Sequence, residues 1–105
     1  MEKYDNFEDL ECCILEWAHA RGILQNSTPQ AQLLKAVSEM GELADAINKD
    51  NTDDIKDGIG DVIVCLINLC NILGVDLVND CLASAYNQIK DRKGFLNENG
   101  VFVKK

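Results

Sequence analysis

Histidine and proline occur only once each, and none of the five cysteines forms a C-x-x-C pair. A single histidine argues against a di-iron carboxylate bundle, which takes Glu-x-x-His pairs from two helices. One proline in a chain that is 47% hydrophobic argues against disorder. An odd number of cysteines without metal-ligand spacing predicts reduced thiols rather than a disulfide framework. We therefore expect residues 1–105 to fold as one domain in a reducing compartment.

Basic residues and long apolar runs are also scarce. The chain has 10 lysines and arginines against 18 acidic residues, a net charge of −8, which argues against binding to nucleic acid or to an anionic membrane. Free nucleotides remain candidate ligands, because a bound divalent metal inverts the local field. No apolar stretch reaches membrane-spanning length, and residues 1–11 lack the basic region and apolar run of a signal peptide. The expected location is therefore the cytoplasm.

Apolar residues recur at helical spacing in four segments. The expected caps are Asp5 or Asn6, Ser27 or Thr28 followed by Pro29, Thr52 or Asp53, and Asp76, and the expected stops are Gly22, Gly74 and Gly94. The third segment is apolar nearly all round, which predicts burial against a second subunit. The pattern predicts an all-α fold in which four helices pack into a bundle with that subunit, as a homodimer or homotetramer. A short extended tail is expected after an Asn-Gly turn. The predicted helices span about 6–20, 29–48, 53–73 and 77–93, and the tail 101–103.

Acidic residues are concentrated between positions 38 and 61, across the turn that joins the second and third predicted helices. Glu39 and Glu42 fall in one sector of the second helix, at about 100° per residue. Asp54, Asp57 and Asp61 likewise share a sector of the third. Mg²⁺ takes oxygen ligands from a few carboxylates together with substrate phosphates. The pattern therefore indicates a metal site, the alternative being two solvated helix faces.

The flanks of Glu39, Glu42 and Asp61 read E-M-G-E-L-A-D-A-I and G-D-V-I-V-C-L-I-N. They resemble the MazG-like all-α nucleoside triphosphate pyrophosphohydrolases, whose pattern is E-E-x-x-E followed by E-x-x-D. The resemblance covers about Leu33 to Gly94 and includes A-Y-N-Q-I-K-D-R-K-G near its end. It implies Mg²⁺-dependent hydrolysis, with Mn²⁺ as a substitute, of a (deoxy)nucleoside triphosphate to the monophosphate and pyrophosphate. Such an activity would serve nucleotide-pool control or house-cleaning.

The resemblance also implies roles for individual side chains. Carboxylates would hold the metal and take the proton of the attacking water, and an amide and basic residues would contact the phosphates. An aromatic residue and a histidine near the end of the first helix are candidates for the base pocket, the alternatives being a core tryptophan and a surface histidine. The residues assigned to catalysis are Glu39, Glu42 and Asp61, and those assigned to metal binding are Glu39, Glu42, Asp57 and Asp61. The residues assigned to phosphate contact are Asn87, Lys90, Arg92 and Lys93, and those assigned to the base pocket are Trp17 and His19.

The sequence departs from the family pattern at two positions. Ser38 stands where the first glutamate of E-E-x-x-E would be, and Gly58 stands where the glutamate of E-x-x-D would be. Asp57 is the predicted substitute, because it is adjacent to Gly58 and lies one turn before Asp61; Asp54 is the second choice. The alternative is a chain that has lost activity and acts as a non-catalytic acidic helical interaction protein.

Overall fold

The computed structural model describes residues 1–105, and the predicted all-α class with a short extended tail is confirmed. By internal contacts the chain divides into two compact units, Met1–Val75 and Asp76–Lys105. The elements are helices α1 Phe7–Ala20, α2 Ile23–Asn26, α3 Pro29–Asn48 and α4 Thr52–Leu73, the π-helical segment Leu77–Leu82, helix α5 Ala83–Ile89, and strands β1 Gly94–Leu96 and β2 Phe102–Lys104.

Capping residues set the starts of α3 and α4, the two helices that carry the acidic residues. The Thr28 hydroxyl accepts a hydrogen bond from the Ala31 backbone N–H at 3.1 Å, and Pro29 occupies the first turn as predicted. The cap of α4 is Asn51, whose side chain accepts from the Asp54 N–H at 3.1 Å. The expectation that Thr52 or Asp53 would cap this helix was wrong, because the helix begins one residue earlier.

One short helix was not anticipated from the sequence. Gly22 ends α1 in the left-handed conformation, with φ of 77°, as the sequence predicts. The chain then makes a single further turn, α2, instead of a loop, and the Asn26 amide donates to the Gly22 carbonyl at 2.9 Å. This turn packs against α1 and α4, which brings Ile23 close to α4.

The core of the first unit lies where α3 folds back along α4. Its fully enclosed residues are mostly small, which lets the helix backbones approach closely. A polar residue of α4, Asn68, is enclosed with them and is only 3% exposed. The buried apolar residues are Ala18, Ala36, Ala46, Cys65 and Ile67.

The apolar face of α3 is largely uncovered. Leu34 is 69% exposed, whereas on α4, the helix that the sequence singles out for burial by a partner, Ile59 and Ile63 are 48% and 39% exposed. No single helix is long and apolar enough to cross a membrane; α4 together with residues 77–89 reaches that threshold as a bent pair, by length and composition only. The uncovered residues of α3, which we call the α3 face, are Leu33, Leu34, Val37, Met40 and Ile47.

The second unit begins with a capped but irregular helix. The Asp76 carboxylate accepts from the Asn79 N–H at 2.6 Å, as expected for a cap. The first six residues are π-helical and the regular helix ends at Ile89, so the single helix expected up to residue 93 is shorter than predicted. The predicted tail pairs as a hairpin, with β1 antiparallel to β2. Gly100, at φ of 78°, forms the turn.

Candidate active site

Facing residues of α3 and α4 enclose a cavity of about 350 Å³. Five of the side chains around it are carboxylates, and one is a lysine. Two of the predicted metal ligands on α4, Asp57 and Asp61, lie here with Glu42 from α3. The lining of this space, which we call the carboxylate cavity, consists of Glu42, Asp45, Ala46, Lys49, Asp54, Asp57, Gly58 and Asp61.

A second cavity, of about 420 Å³, adjoins α1, α2, α3 and α4. Its walls combine apolar side chains with a few polar groups, which is the usual composition of a small-molecule pocket of this size. Asp61 lines this cavity as well as the first one. We call it the Trp17 cavity; it is lined by Trp17, Ile23, Gln32, Lys35, Glu39, Asp61, Val64, Cys65 and Asn68.

Glu39 is the most enclosed of the predicted ligands, at 8% exposure. Its Oε1 lies 3.1 Å from Nζ of Lys35, one helical turn earlier. The Lys35 ammonium holds the pKa of Glu39 below its ordinary value, more than burial raises it. Glu39 raises the pKa of Lys35 in turn, through the same hydrogen bond and charge. Glu39 is therefore an anion neutralised by a lysine in the metal-free protein.

Glu42 has the opposite shift, although it lies on the same helix. A hydrogen bond with the Glu39 side chain raises its pKa, and the negative charge of Glu39 and partial burial add to this effect. The Asp61 charge contributes in the same direction. A proton on Glu42 is stabilised because the Glu42 carboxyl then donates to the Glu39 carboxylate. Glu42 therefore holds a proton more tightly than an isolated glutamate would.

The donor set fits a hard divalent cation. No three histidine, cysteine, aspartate or glutamate side chains come close enough together to hold an ion by themselves. Mg²⁺ commonly takes only one or two carboxylates and completes its shell with water and substrate phosphates. The Glu39 carboxylate already attracts the Lys35 ammonium at 3.1 Å, so a cationic group lies against this part of the site. Aspartates around an open cavity, next to such a pair, are therefore suited to Mg²⁺ or Mn²⁺ with phosphate oxygens as further ligands.

Gly58 of α4 faces Leu43 of α3 at short range. A Cβ atom built on Gly58 would lie 3.1 Å from Leu43 Cδ1, 3.2 Å from Leu43 Cβ and 3.3 Å from Leu43 Cα. Contacts this short are tighter than usual, so Leu43 would have to give way by a few tenths of an ångström. The position that holds a glutamate in the family pattern is therefore crowded by Leu43. Asp54 and Asp57 both line the carboxylate cavity, so the structure does not choose between them as the substitute ligand.

Five polar residues of the two cavities were not identified from the sequence: Gln32, Lys35, Asp45, Lys49 and Asn68. Each lies three, four or seven residues from a predicted ligand, so helical periodicity places it on the same face as that ligand. That signal was available in the sequence. The Gln32 amide also donates to Ser27 Oγ at 3.0 Å.

Of the two candidates for the base pocket, Trp17 lines a cavity and His19 does not. Trp17 is 47% exposed and lines the Trp17 cavity, with the Arg21 guanidinium 6.0 Å from its ring centre. His19 is exposed and lines neither cavity. Its Nδ1 lies 2.6 Å from the side-chain nitrogen of Gln25, within the α1–α2 turn.

The candidate phosphate residues belong to the second unit. Asn87 lies in α5, Lys90 follows its last residue, and Arg92 and Lys93 lie between α5 and β1. All of these side chains are exposed. The Lys93 carbonyl accepts from the Lys105 N–H at 2.9 Å, which fixes the backbone there. Their contact with phosphates stays a prediction.

Comparison with known proteins gives matches of three kinds. Residues 27–94 match the MazG nucleotide pyrophosphohydrolase domain family. The chain is 40% identical over 65 residues to an uncharacterized 18.2 kDa protein in the rep-hol intergenic region of Haemophilus phage HP1 (strain HP1c1). The match includes 62% of this chain but 40% of the phage protein, so the chain spans about two fifths of that relative.

Among solved structures, the fold is similar to that of the cyanophage S-2L MazG-like pyrophosphohydrolase bound to dGDP and three catalytic Mn²⁺ ions per active site. The TM-score is 0.71, and the match covers 97% of this chain and 99% of the cyanophage chain. Sequence identity is 22%, so this likeness is one of fold.

Proposed function

This chain belongs to the MazG nucleotide pyrophosphohydrolase domain family, and we propose that it hydrolyses a nucleoside or deoxynucleoside triphosphate to the monophosphate and pyrophosphate in a Mg²⁺-dependent reaction. Family membership makes the protein a hydrolase acting on nucleotides. The cyanophage protein of similar fold holds Mn²⁺ ions, and we expect Mn²⁺ to substitute for Mg²⁺ here. Nucleotide-pool control or house-cleaning is the corresponding cellular role.

The observation that carries the proposal is the group of five carboxylates around the carboxylate cavity, next to Glu39. Glu39 pairs with the Lys35 ammonium at 3.1 Å, and its hydrogen bond and charge raise the pKa of Glu42. Solvated acids spread over a helix surface would not converge on one cavity in this way. Four aspartates and a glutamate around one cavity, beside a glutamate that binds a cationic group, are instead the arrangement expected of a cation site.

The residues divide the chemistry among themselves. When bound, divalent cations supply Lewis acidity, which neutralises phosphate oxygens and makes a water molecule acidic enough to attack near pH 7. Glu39, Glu42, Asp57 and Asp61 would hold these ions. Whichever of Glu39 and Glu42 is not fully used in holding an ion would take the proton from the attacking water. Lys35, whose Nζ lies 3.1 Å from Glu39, would add a positive charge near the phosphates.

The nucleoside would occupy the Trp17 cavity. The indole offers a flat face for stacking on the base, and its half-exposed position leaves that face accessible. Asp61, which lines both cavities, places the phosphates near the carboxylates and the base near Trp17. Asn87, Lys90, Arg92 and Lys93 would supply donors and positive charge to the leaving pyrophosphate.

A second copy of this chain would cover the α3 face. The five apolar residues of this face are each more than half exposed, and contiguous apolar surface of this kind usually marks a protein interface. In a homodimer with two-fold symmetry, the α3 face of one copy would pack against the α3 face of the other. A homotetramer would form as a pair of such dimers. Multi-angle light scattering at micromolar concentration checks this assembly, and a stable monomer there would contradict it.

The activity is tested by incubating the protein with each of the common nucleoside and deoxynucleoside triphosphates, with Mg²⁺, Mn²⁺ or excess chelator, and separating pyrophosphate from phosphate among the products. We expect pyrophosphate and the nucleoside monophosphate, with metal only. Glu42→Gln is the matched inactive variant. Absence of metal-dependent products with all substrates would favour the non-catalytic interaction protein.

A further inference from the structure

We infer that Asn68 selects the substrate by accepting a hydrogen bond from an N–H group of the nucleobase. The inference rests on the proposed function in taking the ligand to be a nucleotide. Asn68 lies on α4, seven residues after Asp61, and lines the Trp17 cavity. Its role in base selection is separate from metal binding, because it carries no charge and does not line the carboxylate cavity.

The Asn68 side chain is nearly enclosed, yet its hydrogen-bonding capacity is incomplete. The residue is 3% exposed, and its Oδ1 atom has no hydrogen-bond partner. Buried polar atoms in folded proteins are paired in the great majority of cases, and an unpaired acceptor destabilises the fold. The Asn68 Oδ1 atom is also the one buried side-chain nitrogen or oxygen in the chain without a hydrogen-bond partner. The Oδ1 atom itself is enclosed, although the residue lines the cavity, so a turn of the Asn68 amide towards the cavity is needed for a ligand to donate to it. An unpaired acceptor makes that turn favourable, because the ligand then supplies the missing hydrogen bond.

The other residues of the Trp17 cavity indicate which kind of ligand would donate to Asn68. The indole of Trp17 provides a stacking surface, and Val64 and Cys65 provide an apolar floor, which together suit a flat heteroaromatic ring. Seven residues of helix separate Asp61 from Asn68 by about 10 Å along the axis. A nucleotide with its phosphates near Asp61 can therefore extend its base towards Asn68.

An acceptor distinguishes bases by where they carry a donor. The ring N–H of guanine or of thymine and uracil, and the amino groups of adenine and cytosine, all donate, but from different places on the base edge. A site built around a buried acceptor discriminates strongly against an analogue that lacks the matching donor, because the acceptor is then left unpaired. The ligand class is thus a nucleotide whose base presents an N–H group at the edge remote from the sugar.

Binding of deoxynucleoside monophosphates in excess chelator tests this without relying on turnover. Calorimetric titrations of dAMP, dGMP, dCMP and dTMP would be made on the full chain, on Asn68→Leu and on Asn68→Ala. Asn71→Leu is the matched control, since Asn71 is an exposed asparagine on the same helix. We expect the unmodified chain to prefer one base. Asn68→Leu should weaken the affinity for that base roughly tenfold, which corresponds to the loss of one neutral hydrogen bond. Asn71→Leu should keep both affinity and order of preference.

Two further measurements separate recognition from a structural role. Methylating the donor nitrogen of the preferred base until no N–H remains (one methyl group on a ring nitrogen, two on an exocyclic amino group) should weaken binding roughly tenfold in the unmodified chain. It should leave binding to Asn68→Leu unchanged, as in a double-mutant cycle. Without nucleotide, Asn68→Leu should melt at the same temperature as the unmodified chain or higher, because it removes an unpaired buried acceptor. Should the leucine variant not fold, Asn68→Ala provides the same comparison with a smaller side chain.

The inference is overturned if the Asn68 variants keep the order of base preference, if methylation weakens binding equally in both proteins, or if the unmodified chain binds none of the monophosphates. Failure of the proposed function looks different. In that case the monophosphates bind with an Asn68-dependent preference while no triphosphate yields pyrophosphate. If triphosphates are hydrolysed but the order of base preference does not depend on Asn68, the inference about Asn68 is wrong and the proposed activity stands.

Discussion

Replacing Gly58 with alanine should destabilise the protein, although the same change in most helices is stabilising. An alanine in a helix interior is favoured over glycine by about 1 kcal/mol. At Gly58 the added methyl group would lie 3.1 to 3.3 Å from three atoms of Leu43. Overpacking of this kind costs about 1–3 kcal/mol. The difference leaves Gly58→Ala less stable by about 1 kcal/mol, which corresponds to a fall in Tm of about 4–8 °C for a domain of this size.

Gly60 provides a matched control two residues away. It lies in the same helix, and a Cβ atom built there meets nothing within 4 Å. Gly60→Ala should therefore show the helix-propensity gain alone, about 1 kcal/mol and a rise in Tm of about 4–8 °C. The two variants, measured metal-free by circular dichroism, should differ by about 2 kcal/mol in free energy of unfolding, and Leu43→Ala should reduce that difference. Equal increases in Tm would refute the close packing of Leu43 on Gly58.

The remaining predictions concern the carboxylates. Glu42→Gln should raise the Tm of the metal-free protein at pH 7. The pKa of Glu42 is raised in the folded protein, so folding favours the protonated form, which glutamine resembles. The gain in Tm should disappear below the ordinary pKa of 4.5, where Glu42 is protonated in both the folded and the unfolded state. A thermal melt series against pH checks this, and a lower Tm at pH 7 would contradict it. Glu42→Ala and Asp61→Ala should abolish metal-dependent hydrolysis while leaving the fold intact, and near-normal turnover in either would show that the site is wrongly assigned. Asp57→Asn should lower turnover more than Asp54→Asn and be partly recovered by added Mn²⁺, whereas equal losses would mean that Asp57 is not the main substitute for the absent glutamate.

The Gly58 contacts also bear on how the missing glutamate can be restored. Sequence reasoning makes Gly58→Glu a natural way to rescue Asp57→Asn, since it returns the family residue. A glutamate Cβ would meet the Leu43 backbone as an alanine would. We therefore expect Gly58→Glu to rescue Asp57→Asn only in part, and Leu43→Ala in the same protein to improve the rescue by removing the Cδ1 contact, which activity measurements on these variants can check.

Local patterns predicted the helices well because their start and stop signals lie within a few residues. The Thr28-Pro29 start, the Gly22 and Gly74 ends and the Asn99-Gly100 turn are such signals, and the structure confirms each. The α2 turn and the π-helical segment were missed, since a single turn is too short for periodicity to reveal. The family resemblance is confirmed over residues 27–94.

The site was only partly predictable. Spacing along a helix grouped Glu39 with Glu42, but whether they titrate together depends on Lys35 and on burial, which spacing alone does not determine. Asn68 reads as one more residue of an apolar helix until its enclosure and its unpaired oxygen are known. The closeness of Leu43 to Gly58 likewise depends on how two helices meet. These are properties of three-dimensional packing, and no local sequence pattern encodes them.

Asp61 borders both cavities, so we expect binding in one cavity to affect binding in the other. If a base in the Trp17 cavity fixes the Asp61 carboxylate in the orientation that a cation needs, the cation binds more tightly by some factor. Reciprocity then requires the cation to tighten base binding by the same factor. Metal titrations with and without a nucleoside that lacks phosphate would measure this factor directly. A correct base would in this way help to load the metal, so that selection of the substrate and assembly of the reactive centre become a single cooperative event.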